Sequence, residues 1–96
     1  MTVSFSPRAE RDLDQIFEYI AKDNLEAAYR VRETILETVG TIGRQPFLGI
    51  QNRRSPAMRS LLIRRYQYRV HYSLRGSEIL ILHIRHTARR PWNPDE

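Results

Sequence analysis

The apolar residues change their period once along this chain, and that change limits the folds open to it more than any other feature. Before residue 44 they recur every three or four positions, and after residue 57 they alternate. Helical stripes followed by alternating strands predict an α+β fold, with the helices gathered on one face of a small, mainly antiparallel sheet. The element order reads strand, helix, helix, strand, strand, strand. With 96 residues there is enough chain for one hydrophobic core, so residues 1–96 are expected to form a single domain ending in a polar tail at 87–96.

Thr2 to Phe5 reads as a short strand ending at Ser6-Pro7, where Ser6 can cap a helix and Pro7 can take its first position. Ala9, Leu13, Ile16, Phe17 and Ile20 then make one apolar stripe, with Arg8, Arg11, Asp12, Glu18 and Lys22 expected on the solvent side. Asp23 followed by Glu26 resembles a capping box for a second helix, whose stripe of Ala28, Val31, Ile35, Val39 and Ile42 runs to Gly43. So short a break at Asp23-Asn24 forces the two helices to run antiparallel. Residues 44–57, with two prolines and a glycine and no sustained period, read as a loop.

The sheet half follows. Met58 to Ile63 is a strand, and Tyr66, Tyr68, Val70, Tyr72 and Leu74 alternate with Gln67, Arg69, His71 and Ser73. The tyrosine row shares its face with Val70 and Leu74 and is expected to pack under the helices rather than stack bases. Arg75-Gly76 supplies a hairpin turn, and residues 79–84, apolar at nearly every position, predict a central strand covered on both faces.

Charge divides along the same line as period. Residues 1–43 carry five basic side chains against eight carboxylates, a net of −3, whereas residues 44–96 carry eleven arginines against three carboxylates, a net of +8. The basic sheet half is therefore suited to an anionic partner, and arginine's planar fork matches carboxylate or phosphate. On the polar face Arg69 and His71 are expected side by side, with Arg59 and Arg85 beside them and Arg64, Arg65, Arg89 and Arg90 at the strand ends. Such crowding repels unless an anion offsets it; a solvated face that discourages sheet-to-sheet aggregation is the plainer reading. Trp92, in a polar tail, is a candidate anchor for a partner.

Chemistry is more restricted. The chain lacks cysteine, which excludes disulfides, thiolate metal sites and cysteine nucleophiles. Of His71, His83 and His86, the second lies in an apolar run and reads as a hydrogen-bonded interior residue; the spacing of the three gives no metal site, and no cofactor is expected. No segment reaches the length of a membrane span, and the N-terminus has neither a basic region nor an apolar core typical of a secretory signal, so a cytoplasmic protein is expected.

The stretch Met58-Arg59-Ser60-Leu61-Leu62-Ile63-Arg64-Arg65-Tyr66-Gln67-Tyr68-Arg69-Val70-His71-Tyr72, followed by Leu82-His83-Ile84-Arg85-His86-Thr87-Ala88-Arg89-Arg90, resembles the sheet half of RelE/ParE superfamily toxins of type II toxin-antitoxin systems. Ser6-Pro7-Arg8-Ala9-Glu10-Arg11-Asp12-Leu13 looks like the start of the first helix in that superfamily, so the similarity spans nearly the whole chain. Within it, RelE-like members cut messenger RNA on the ribosome with a set of basic residues and a C-terminal tyrosine or histidine, and ParE-like members poison DNA gyrase. Arg69 matches one of the RelE-like arginines, but Ser60 and Leu62 stand where strand lysines would be, and His86 is the only substitute for the missing tyrosine.

The resemblance to the ParE-like branch implies a gyrase inhibitor without a catalytic site of its own, encoded in plasmid-stabilisation type cassettes and held in a hetero-oligomer by a cognate acidic antitoxin. Arg59, Arg64, Arg65, Arg69, His71, Arg85, His86, Arg89, Arg90 and Trp92 are then the candidates for contact with target or antitoxin. The alternatives are a ribosome-dependent endoribonuclease using Arg59, Arg69, Arg85 and His86, and a non-toxic member that only binds its antitoxin.

Overall fold

A computed structural model describes residues 1–88. The elements are β1 (Thr2–Phe5), α1 (Pro7–Ala21), α2 (Leu25–Arg44), β2 (Ile50–Gln51), β3 (Met58–Ile63), β4 (Tyr68–Arg75) and β5 (Glu78–His86). The strands form one sheet in the order β1-β5-β4-β3-β2, antiparallel except for β1, which runs parallel to β5. The helical hairpin packs on one face. This is the α+β arrangement the change of period predicts.

The local chemistry at the helix starts explains where they begin. Ser6 is extended and its Oγ accepts from Ala9 N at 3.0 Å, with Pro7 in the first turn where a missing N–H costs nothing. α2 is capped by Asn24 rather than Asp23: Asn24 is the extended residue, and its Oδ1 accepts from Ala27 N at 3.0 Å. Asp23 instead lies in the turn between the helices, its N–H bonded to Ile20 O. The stripe of α2 is buried as its spacing requires: Ala28 is fully buried, and Val31, Ile35, Val39 and Ile42 cluster with Val70, Tyr72, Ile79, Ile81 and Ile84 of the sheet.

Three features depart from the sequence reading. The loop after α2 contains a two-residue strand, β2, held by pairing with Ser60 and Arg59. Tyr66 and Gln67 belong to the turn before β4, where Gln67 has a left-handed φ of 59° and its amide donates to Arg64 O at 2.6 Å. Finally, β5 lies inside the sheet, but its first half is covered only on the helix side, with Leu80 36 % exposed on the other, and only at His83 and Ile84 are both faces buried. The continuous apolar run therefore does not mark a strand buried on both faces along its length.

Tyr72 ties the loop to the core. It is fully buried, its hydroxyl donates to Pro46 O at 2.8 Å, and the same oxygen accepts from Gly49 N at 2.9 Å. Gly49 permits this approach, since a Cβ there would lie 2.5 Å from the hydroxyl and 2.8 Å from Ser60 O. Tyr72→Phe strands both backbone groups inside the protein and is expected to lower unfolding free energy by about 2 kcal/mol in a urea melt.

Candidate functional site

Strand register decides which basic residues share a face. Directly paired residues project to the same side, so Arg69 opposite Arg85 and His71 opposite His83 form a square on the side away from Val70, Tyr72 and helix α2. Ser60 pairs with His71 and Leu62 with Arg69, placing a hydroxyl and an apolar chain beside the square. Arg69 Nη1 donates to Ser60 Oγ at 3.0 Å, and the two imidazoles stack with centroids 6.1 Å apart and planes 21° apart. Arg69 facing Arg85 is a cation-cation pair that disfavours the fold by itself and favours an anion above it.

The remaining predicted residues lie elsewhere. Arg59 pairs with Tyr72 and so projects to the helix side, not to the open face. Its Nη1 donates to Gly49 O at 2.9 Å and Phe47 O at 3.3 Å, and its guanidinium lies 5.2 Å from the Phe47 ring centroid, all of which bind it to the loop. His86 pairs with Tyr68, on the helix side as well; the rings meet edge to face at 5.2 Å, and Nδ1 accepts from Ala88 N at 3.1 Å. Arg64 and Arg65 are exposed in the turn after β3, with Arg65 over Tyr66 at 5.3 Å. Arg89, Arg90 and Trp92 lie outside the described residues, as does most of the expected tail.

Helix α1 completes the open face with residues that helical spacing assigns to solvent. β1 pairs with β5 only as far as Ile81, so the next part of that edge needs other partners. Ser6 supplies them first, its N–H bonding Ile81 O at 2.9 Å and its Oγ donating to Leu82 O at 3.0 Å. Asp12 follows, its Oδ2 accepting from Ile84 N at 2.9 Å and from His83 Nδ1 at 2.5 Å. Asp12 is thus an interior partner of the sheet, with its side chain 15 % exposed, and not a solvent-side residue. His83 is the hydrogen-bonded interior histidine its apolar surroundings imply.

The bulge at this point matters. His71 pairs with His83 and Tyr72 with Ile81, which leaves Leu82 as an extra residue in β5. The insertion brings His83 into line with His71 on one side while Ile81 and Ile84 both stay in the core. Nothing in the alternation of residues 79–84 announces it.

Burial lowers the pKa of His71 from 6.5 to about 4, and His83, Arg69 and Arg85 push the same way. Burial also lowers that of His83, outweighing the hydrogen bond and charge of Asp12, with Arg8 and Arg85 adding to the lowering. Both rings are therefore neutral at pH 7, and His83 carries a proton on Nδ1 for Asp12. Because the folded pKa of His71 lies below its unfolded value, the unfolded chain takes up the extra proton as pH falls. The stabilisation is complete above about pH 6.5 and is lost progressively down to about pH 4. Urea midpoints measured across that window should fall by the equivalent of about 2 kcal/mol, and His71→Gln should flatten the slope.

Chemically, this face offers fixed guanidiniums and neutral imidazoles, suited to holding an anion. It does not bring the four residues of the ribonuclease alternative onto one face: by register Arg69 and Arg85 project to one side of the sheet and Arg59 and His86 to the other, although Arg85 and His86 both line a hollow at the end of β5 beside α1. Among the described residues no group of His, Asp and Glu is arranged to hold a metal ion, and no helix is long and apolar enough to cross a membrane.

Comparison with known proteins places this architecture. A chain of the chromosomal ParDE TA system from P. aeruginosa superposes with a TM-score of 0.76 at 26 % identity, covering 90 % of this chain and 95 % of that one. The isolated E. coli RelE toxin superposes with a TM-score of 0.70 over 93 % of this chain and 86 % of its own, and at 15 % identity it supports the fold alone. Among curated proteins none matches the chain. The sequence profile of the ParE toxin of type II toxin-antitoxin system, parDE, matches residues 3–91, and the chain belongs to that family.

Proposed function

We propose that the protein is a toxin domain that arrests growth by inhibiting DNA gyrase in the cytoplasm and is neutralised when a cognate acidic antitoxin lies across its basic sheet half. The observation that carries this reading is the division of the basic residues by the sheet. A phosphodiesterase needs a base, an acid and cations around one phosphate. Here Arg59 and His86 project to the helix side, and Ser60 and Leu62 flank Arg69 where further cations would be required. What remains on the open face is a recognition surface, with Arg69 and Arg85 as its charges and Leu80 and Leu82 continuing it towards the β4-β5 turn.

An acidic antitoxin fits the same surface by charge. Its carboxylates would relieve the Arg69-Arg85 repulsion, and its binding would cover the face that the target needs. The relation to the P. aeruginosa ParDE system supports the pairing with an antitoxin. Inducible expression in bacteria, with and without the antitoxin, tests the reading when the DNA damage response and translation are followed separately. Growth arrest with DNA damage and initially intact translation is expected. Early collapse of translation with cleaved transcripts would instead favour the ribonuclease alternative, and harmless expression would favour a member that only binds its antitoxin.

A further inference from the structure

We propose that the outer side of α2 is a self-association surface through which two copies of this chain pair, helix against helix and antiparallel. Helical spacing draws the face: Tyr29, Glu33, Leu36, Gly40 and Arg44 recur at three- and four-residue intervals over roughly 22 Å of helix and line one open trough. It lies away from the stripe of Val31, Ile35, Val39 and Ile42 that α2 buries. Tyr29 is 56 % and Leu36 41 % exposed, so the trough has an uncovered apolar centre. Gly40 indicates how that centre is covered. A glycine inside a helix costs stability relative to alanine and usually marks a close approach. Gly43 has such a reason within the chain, since a Cβ there would lie 3.0 Å from Val3 Cγ2. A Cβ at Gly40 would meet, among the described residues, only the flexible end of Arg44, with Nη1 at 3.4 Å. The approach that Gly40 permits therefore comes from outside the chain.

The charges select a second copy as the neighbour. The chain carries a net +5, so copies repel at long range, but this trough is balanced, with two arginines and two glutamates. Arg32, at its margin, is engaged over the Phe17 ring at 5.8 Å. Glu33 and Glu37 stand about one turn apart, and among the described residues neither carboxylate is in an ion pair. Arg44, about three turns beyond Glu33, gives one N–H to Thr41 Oγ1 at 3.3 Å and keeps the rest of its fork. Turning one copy end over end about an axis level with Thr38 and Val39 sets Arg44 of each against Glu33 of the other, with Glu37 a turn away. The same turn lays Leu36 of each beside Gly40 of the other. One surface then supplies both halves of every contact, as a two-fold interface requires. A parallel pairing would set Arg44 on Arg44 and Glu33 on Glu33, which repels. One helix face buries less than a standard interface, so the pair is weak, with a Kd on the order of 100 μM. Pairing through α2 leaves the open sheet face uncovered and is independent of the gyrase reading.

Sedimentation equilibrium of the purified full chain, from about 10 μM to about 1 mM, tests the pairing, and a monomer-dimer equilibrium is expected. Gly40→Gln should weaken it by about tenfold or more while the melting temperature holds or rises, because glutamine is the better helix former and fills only the trough. A glycine needed for the fold of the single chain would lower the melting temperature instead. Glu33→Arg and Arg44→Glu should each weaken pairing about tenfold, and the double variant should regain most of the loss as the exchanged charges meet again. Tyr19→Ser, which removes an exposed ring from the side of α1 that faces β5, should pair as the unaltered protein does. A chain that stays monomeric up to about 1 mM, a dimer that Gly40→Gln leaves intact, or single charge variants that the double fails to rescue, overturn the proposal. Loss of antitoxin binding in Gly40→Gln, with no dimer of the free chain, would give the trough to the antitoxin and overturn it as well.

Discussion

Arg69→Glu should abolish growth arrest and weaken the antitoxin complex by a hundredfold or more, while the protein melts at the same temperature or slightly higher. The functional loss follows from charge reversal at the middle of the open face, where Arg69 stands directly opposite Arg85. Losing a charge-assisted contact costs about 1.5–3 kcal/mol, and replacing it with a like-charge clash adds to that, which gives about two orders of magnitude in affinity. The unchanged or raised stability follows from the same pair. Two arginines placed directly across an antiparallel ladder repel, and a glutamate opposite Arg85 replaces repulsion with attraction. The combination separates a recognition residue from a structural one, because a residue needed for folding would lose activity and stability together. Growth curves, antitoxin titration and a thermal melt on the one variant measure all three effects.

Asp12→Ala is expected to be the most damaging single change to stability among the exposed-looking positions of α1. It removes the acceptor shared by the buried His83 ring and the Ile84 amide, stranding two donors at the sheet edge that β1 leaves uncovered. At about 1–3 kcal/mol per stranded group the loss is about 3 kcal/mol, or a fall in melting temperature on the order of 15 °C for a protein of this size. Asp12→Asn keeps one oxygen and should lose about half as much. Asp14→Ala, two residues further along and exposed, should stay within about 0.5 kcal/mol. Chemical denaturation of the three variants at pH 7 measures the differences.

Much of the fold is legible in the sequence because single periods dictate it. The α2 stripe of Val31, Ile35, Val39 and Ile42 and the alternation of Val70 and Tyr72 each point one way, and the structure buries all six. The change of period at residues 44–57 separates the helical layer from most of the sheet. What the sequence hides depends on contacts distant in the chain. Asp12 sits among charged residues on a helix and reads as solvent-facing; only the early end of β1 makes it a partner of β5. The bulge at Leu82 shifts His83 relative to Tyr72, and an apolar run carries no mark of such a shift. Leu80 reads as buried for the same reason, since its exposure depends on the absence of a second layer over that face.

The site was legible in part. Arg69, His71 and Arg85 come together as alternation predicts, because β4 and β5 are joined by a two-residue turn that fixes their register. Arg59 does not join them: β3 pairs so that Arg59 meets Tyr72, and no residue in β3 alone reveals that register. His86 is lost from the group because it is one residue out of phase with Arg85. Arg8 and Arg11 were visible as charges but not as neighbours of His83, since they line a common hollow only once α1 crosses the sheet edge.

The most direct test of the central claim is incubation of the purified protein with DNA gyrase and supercoiled or relaxed plasmid, scoring supercoiling and cleaved DNA, alongside a translation reaction scored for transcript cleavage. Accumulation of gyrase-cleaved DNA with intact transcripts, reversed by the antitoxin and absent with Arg69→Glu, is the predicted result. Unaffected gyrase together with cut transcripts would contradict it and would require that Arg69 and Arg85 act in catalysis without the two residues the sheet keeps on its other side.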